Sequence, residues 1–172
     1  MLRIPVLTLS AVVATCLACG SQQAQDEKAV LETISSYLDA LDTGDFSKSH
    51  SLLASSIQAR LPHDAYVEAH ETSTPPEVRS AGPTKITYGE TSVSPYRATV
   101  QVSMSITDPA LVAMIQGMQQ QNDVQGLENS NVGSDSIDIE NEYELVKEES
   151  GWRVVLNEGA VALEEQAISN PN

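Results

Sequence analysis

The stretch YRATVQVSMSI, residues 96–106, alternates apolar and polar side chains along its whole length. Its apolar positions are Tyr96, Ala98, Val100, Val102, Met104 and Ile106, and its polar positions are Arg97, Thr99, Gln101, Ser103 and Ser105. A period of two is typical of a β-strand with one face on a core and the other in water. The sequence therefore predicts a strand here, within an antiparallel sheet.

Similar alternation on both sides of this stretch predicts the rest of the sheet. Ile86 and Tyr88 begin one strand, and a second strand begins at Ile137. A third strand after the turn at Gly151 carries Trp152, Val154 and Leu156. In the second of these strands, the residues expected to face inward are Ile137, Ile139, Asn141, Tyr143 and Leu145.

Asn141 interrupts an otherwise apolar face. An unpaired buried amide costs roughly 1 to 3 kcal/mol, so an asparagine at this position needs an explanation. One explanation is that the strand bulges or that the Asn141 side chain has a partner within the protein. The other is that Asn141 lines a ligand cavity together with Tyr37 and Tyr143. The sequence leaves both explanations open.

The period changes to that of a helix before residue 83. Apolar residues recur every three or four positions at Val30, Leu31, Ile34, Tyr37, Leu38 and Leu41, and Gly44 follows as a helix-ending glycine. A short helix is expected from Phe46 to Leu53, and another after Pro62 with Ala65, Tyr66 and Ala69 inward. Helices followed by an antiparallel sheet predict an α+β domain.

An insertion spans residues 108–136, between the two long strands. Asp108 and Pro109 are suited to start a helix with an apolar stripe at Leu111, Val112, Ile115 and Met118. Its apolar candidates for a functional surface are Leu111, Met114, Ile115 and Met118. Two hypotheses stay open: the helix packs on the edge of the domain, or these four residues form a lid or a docking surface for a partner.

The N-terminus carries a different kind of signal. A short apolar run follows Arg3 and ends in Leu17-Ala18-Cys19-Gly20, which resembles a bacterial lipoprotein signal peptide. The resemblance implies cleavage after Ala18, so that residues 1–18 are removed and Cys19 carries lipid. An ordinary secretory signal and cleavage before Cys16 are the alternatives, and the run is too short and too interrupted for a spanning helix.

Composition sets further bounds. If Cys16 leaves with the signal and Cys19 is lipidated, no disulfide can form in the mature domain, which then depends on apolar burial. The length suits one domain. The net charge of −15 argues against nucleic-acid binding, because phosphate backbones would be repelled.

Two sequence features together resemble the NTF2-like superfamily. They are the first helix ending in YLDALDTGDF, residues 37–46, and the final hairpin ELVKEESGWRVV, residues 144–155. The resemblance implies a strongly curved antiparallel sheet, a cone around the first helix, often with a pocket inside. It divides the chain into a signal at 1–18, a lipidated cysteine and tether at 19–25, the domain at 26–158 and an acidic tail at 159–172.

Motifs for catalysis are weak. His50, His63 and His70 lack metal-ligand spacing, so neither a metal nor a cofactor is expected, and His63 and His70 are interpreted as solvated helix ends. Tyr37 resembles the oxyanion-donating tyrosine of steroid isomerases in the superfamily, but no partner carboxylate is identifiable from the sequence. Tyr37 is therefore only a weak catalytic candidate.

Three functions from different classes follow. The first is a non-enzymatic lipoprotein of the cell envelope, on the periplasmic face of the outer membrane in a Gram-negative cell, that binds a small apolar ligand or an envelope protein. The second is a cofactor-independent isomerase or dehydratase. The third is an assembly subunit that forms a homodimer through its sheet.

Overall fold

The computed structural model describes residues 13–73, 85–109, 112–113, 130–133 and 135–169, with only the backbone of 13–21 and 130–132. Helices come first, and an antiparallel sheet follows. The prediction of an α+β domain with N-terminal helices on an antiparallel sheet is confirmed.

The first helix, α1 (Val13–Asp42), packs its predicted apolar stripe into the core. Its end is a hydrogen-bonded cap: Asp45 N–H donates to Ala40 O at 2.8 Å, and Gly44 N–H donates to Leu41 O at 3.2 Å. Gly44 has a φ of 74°, a conformation that glycine adopts without a steric penalty. The helix therefore ends where the sequence predicted.

α1 also includes residues 21–25, which the sequence assigned to a tether. Residues 22–25 are exposed helix, followed by a half-buried Asp26. Lys147 Nζ lies 2.6 Å from Asp26 Oδ1 and joins this part of α1 to the sheet. No helix in the described ranges is both long enough and apolar enough to cross a membrane.

Three short helices follow α1. They are α2 (Phe46–Ser51), α3 (Ser55–Gln58) and α4 (His63–Ser73). Asp45 caps α2, since its carboxylate accepts a hydrogen bond from Lys48 N–H at 3.0 Å. As predicted, α4 follows Pro62 and buries Tyr66 and Ala69.

The strands are β1 (Lys85–Val93), β2 (Arg97–Ile106), β3 (Ser130–Val132), β4 (Ile137–Glu148) and β5 (Gly151–Val155). β1, β2, β4 and β5 form a four-strand antiparallel meander, and β3 pairs with the beginning of β4. The inward face of β2 is buried at Ala98, Val100 and Val102, which confirms the alternation there. Tyr96 precedes the strand and is 76% exposed, so the prediction that it faces inward is wrong.

The expected strong curvature of the sheet is wrong: the sheet is not strongly curled. β2 and β4 stay in register over their full pairing, from Arg97↔Val146 to Ile106↔Ile137, without a bulge. Bulges are what bend a strand sharply, and the register shift recorded among the described pairs lies in β1, between Tyr88 and Thr91. A continuous central ladder keeps the sheet open.

The C-terminal segment differs from the acidic tail expected at 159–172. Residues 158–169 form a helix, α5 (Glu158–Ser169), which contacts α4 and buries Val161 in the core. Asn157 caps it, because the side-chain Oδ1 accepts a hydrogen bond from Ala160 N–H at 2.8 Å. The last helix is thus part of the packed domain.

Candidate functional site

A pocket of about 500 Å³ lies where β4 and the end of β5 meet α1 and α5. β5 pairs with β4 only over Glu144–Glu148, so the chain leaves the sheet after Val155 and turns into α5. The described residues that line the pocket are Tyr37, Asn141, Glu142, Tyr143, Glu144, Val155, Leu156, Asn157, Ala160 and Glu164.

The three ligand-pocket candidates from the sequence all line this pocket. Tyr37 reaches it from α1, with only 4% of its surface exposed. Asn141 and Tyr143 come from β4, on the face that also carries the buried Leu145. The rings of Tyr37 and Tyr143 meet edge to face, with centroids 6.4 Å apart and planes at 67°.

Asn141 occupies a regular strand rather than a bulge. It pairs with Val102 inside an unbroken register, and its side chain is half-buried at the pocket. Of the two explanations for a polar residue on this face, the bulge is therefore wrong. The amide lines the pocket together with Tyr37, and the hypothesis that a ligand binds there stays a prediction.

Burial keeps the tyrosines of this region protonated. It is the main cause that raises the pKa of Tyr37 well above its usual range, and the neighbouring Tyr66, Tyr143 and Glu164 raise that pKa further. Burial likewise raises the pKa of Tyr66 to about 12 and that of the Tyr143 phenol above its usual value. At neutral pH these phenols are uncharged and can donate hydrogen bonds.

Polar contacts continue behind the pocket. The hydroxyls of Tyr66 and Ser49 lie 3.3 Å apart, and Ser49 donates to Phe46 O at 3.0 Å. Both Tyr66 and Ser49 are fully buried. The polar groups behind Tyr37 thus hold one another in place inside an apolar core.

Glu164 is the pocket residue that sequence reasoning missed. It lies on α5, and its carboxylate Oε2 is 3.2 Å from His70 Nε2. The contact is an ion pair by distance when the imidazole is protonated, but His70 Nε2 makes no hydrogen bond of good geometry in the described residues. The signal was present in the sequence, because Asn157 is a capping residue and Val161, Glu164, Glu165 and Ile168 follow helical spacing.

The histidines are packed more closely than expected. His70 stacks on Phe46, with ring centroids 4.9 Å apart, and lies 4.4 Å from the Tyr66 ring, so the interpretation of a solvated helix end is wrong for it. His63 fits that interpretation, since about half of its side chain is exposed. In the part of the chain that the structure describes, no group of three or more His, Cys, Asp or Glu is placed to hold a metal ion.

Two sets of predicted residues lie outside the description. The lid candidates Leu111, Met114, Ile115 and Met118 are among the residues that the structure does not describe. Next to them, Val112 is buried and its N–H donates to Asp108 O at 2.9 Å, a helical bond. Cys19 lies in α1, but its side chain is not among those described.

Comparison of the chain with models of known protein families and with curated proteins finds no match.

Proposed function

We propose that this protein is a lipid-anchored, non-enzymatic binding module of the cell envelope, with an NTF2-like domain that holds a small ligand between β4, α1 and α5. The observation that carries the proposal is the pocket of about 500 Å³ that Tyr37, Asn141 and Tyr143 line. A concave site with aromatic walls and a few polar groups is what small-ligand sites have in common.

The location part of the proposal is supported by the N-terminal sequence. The apolar run that ends in Leu17-Ala18-Cys19-Gly20 has the order of a lipoprotein signal, and two or three acyl chains suffice for stable anchoring. In a Gram-negative cell the protein would face the periplasm from the outer membrane, because Gly20 replaces the aspartate that favours retention in the inner membrane.

The binding part is supported by the character of the walls. Val155, Leu156 and Ala160 supply apolar surface, while Asn141 and the protonated phenol of Tyr37 supply hydrogen-bonding groups. Such a combination orients a ligand without requiring a chemical step. The NTF2-like part of the proposal rests on the resemblance of residues 37–46 and 144–155. Helices that precede an antiparallel sheet, with α1 packed against β1 and β5, are compatible with it.

The test fills the pocket without changing its surroundings. Ala160→Phe places a ring in the pocket from α5, whereas Ala162→Phe, the matched control, adds the same ring on an exposed position of the same helix. We expect members of a fragment library to shift the amide resonances of Tyr37, Asn141 and Tyr143 in the purified protein. These shifts should disappear in Ala160→Phe and persist in Ala162→Phe.

Two results would contradict the proposal. One is a library in which no fragment perturbs the pocket resonances. The other is equal binding to both phenylalanine variants, since ligands would then occupy a different surface.

A further inference from the structure

Building on the proposed pocket, we infer that its ligand is an organic cation, a protonated amine or quaternary ammonium group carried on an apolar body. Three glutamates line the site, Glu142, Glu144 and Glu164, and no lysine or arginine is among the described lining residues. The existing contacts of each carboxylate decide whether its charge is available to a ligand.

Glu142 and Glu144 face the outer side of the sheet at the edge of the pocket. Glu144 forms an ion pair with Arg97, and Glu142 accepts a hydrogen bond from Gln101 Nε2 at 2.7 Å. The charge of Glu144 is thus largely compensated, while the partner of Glu142 among the described residues is a neutral amide. Glu142 therefore leaves a net negative charge at the edge of the pocket.

Of the three glutamates, Glu164 has the least exposed side chain. About a quarter of its side chain is exposed, and it accepts no hydrogen bond from the described residues. Its ionisable neighbour is His70, whose Nε2 lies 3.2 Å away without hydrogen-bond geometry. A partly buried carboxylate that lacks a donor is unfavourable unless a donor reaches it, and an ammonium group in the pocket would supply one.

The charge of Glu164 also affects the buried tyrosines Tyr37 and Tyr66. Glu164 lines the pocket together with Tyr37, and its negative charge adds to the raised pKa of both Tyr37 and Tyr66. An anionic ligand would be repelled by the carboxylate of Glu164, which lines the same pocket. A cation meets the same carboxylate favourably, and it also meets the half-buried aromatic side chain of Tyr143 in the pocket wall.

The rest of the lining limits the size and shape of the cation. Val155, Leu156 and Ala160 lie beside the two tyrosine rings, so the non-ionic part of the ligand has apolar surface to cover. A bare metal ion would leave that surface hydrated. The geometry therefore suits a small organic ammonium better than an inorganic cation.

The experiment compares three probes of similar size and different charge on the purified full-length protein in nonionic detergent. They are benzyltrimethylammonium, benzyl alcohol and benzenesulfonate. We expect benzyltrimethylammonium to bind at least about tenfold more tightly than either of the others, with amide shifts at Tyr37, Asn141 and Tyr143.

Variants then assign the selectivity to one carboxylate. Glu164→Gln should weaken binding of the cation by about tenfold and leave the neutral probe within about twofold. Glu164→Asp keeps the charge and should retain most of the preference. Glu149→Gln is the matched control, because it removes the same charge from an exposed residue outside the pocket.

The outcomes separate this inference from the proposed function. If benzyl alcohol or benzenesulfonate shifts the pocket resonances as strongly as the cation, or if Glu164→Gln binds the cation unchanged, the preference for cations is wrong and the pocket remains a binding site. If no probe and no library fragment reaches the pocket, the proposed function itself fails. A melting curve of each variant distinguishes lost binding from lost folding.

Discussion

At the scale of single residues, Glu148 joins the sheet to α3. Its carboxylate accepts hydrogen bonds from Ser55 Oγ at 2.6 Å and from Ser55 N–H at 2.8 Å, and these two bonds lower the pKa of Glu148. A lowered folded-state pKa stabilises the fold above the unfolded value, and this stabilisation is lost as the pH falls through the folded value. Glu148→Gln should lower the free energy of unfolding by roughly 1 kcal/mol at pH 7, a figure already reduced for solvent exposure.

Urea unfolding at pH 7 and at a pH below the lowered pKa of Glu148 measures this effect. The difference between wild type and Glu148→Gln should shrink at the lower pH, because protonation of the wild-type carboxyl weakens its hydrogen bonds. The control is Glu149→Gln, the exposed neighbour, which should show little difference at either pH. If the free energy of unfolding of Glu148→Gln stays below that of the wild type by the same amount at both pH values, the charge of Glu148 is not the cause of the difference.

At the scale of secondary-structure elements, residues that were expected to form a tail form the helix α5, which lines one side of the pocket. Val161 is fully buried, whereas Leu163 on the same helix is 56% exposed. Val161→Ala should lower the free energy of unfolding by about 1 to 3 kcal/mol, since burial of the lost methyl groups and the resulting cavity both contribute. Denaturant melts of the purified variants provide the measurement.

Leu163→Ala is the control and should cost less than about 0.5 kcal/mol. Arg60 adds to the docking of α5 through ion pairs with Glu158 at 2.9 Å and Glu165 at 3.0 Å. Equal effects of Val161→Ala and Leu163→Ala would mean that α5 does not pack on the core in solution.

At the scale of the whole molecule, removal of residues 1–18 and lipid attachment at Cys19 would place the membrane at the new N-terminal end of α1. Asp26, which pairs with Lys147 of the sheet, lies seven residues further along the helix, or about 10 Å at 1.5 Å per residue. Expressed in bacteria with labelled palmitate, the wild-type protein should incorporate label and enter the detergent phase on phase separation. Cys19→Ser should do neither, because the acylated thiol is gone.

Cys16→Ser is the matched control, since its cysteine would be removed with the signal. It should still be labelled and should still enter the detergent phase. Labelling of Cys19→Ser, or recovery of an unprocessed wild-type chain from the cytoplasm, would contradict the lipoprotein assignment.

Much of the site could be predicted from local patterns. Period-two alternation assigned Asn141 and Tyr143 to the inward face of a strand, and helical spacing assigned Tyr37 to the buried side of α1. Periodicity orients side chains relative to a core, so residues from different elements that share an inward face can be expected to meet. It does not give the separation between elements, and the strong curvature predicted from the resemblance was wrong.

What the sequence determined by itself is therefore the kind of each main element and the face that it buries, because both depend on the local order of apolar and polar residues. What only the tertiary structure decided is the open shape of the sheet, the packing of His70 and the place of Glu164 beside Tyr37. These depend on register across the β2–β4 ladder and on how α5 docks against α4. Both are long-range contacts, and no local pattern of residues encodes the distance between segments far apart in the chain.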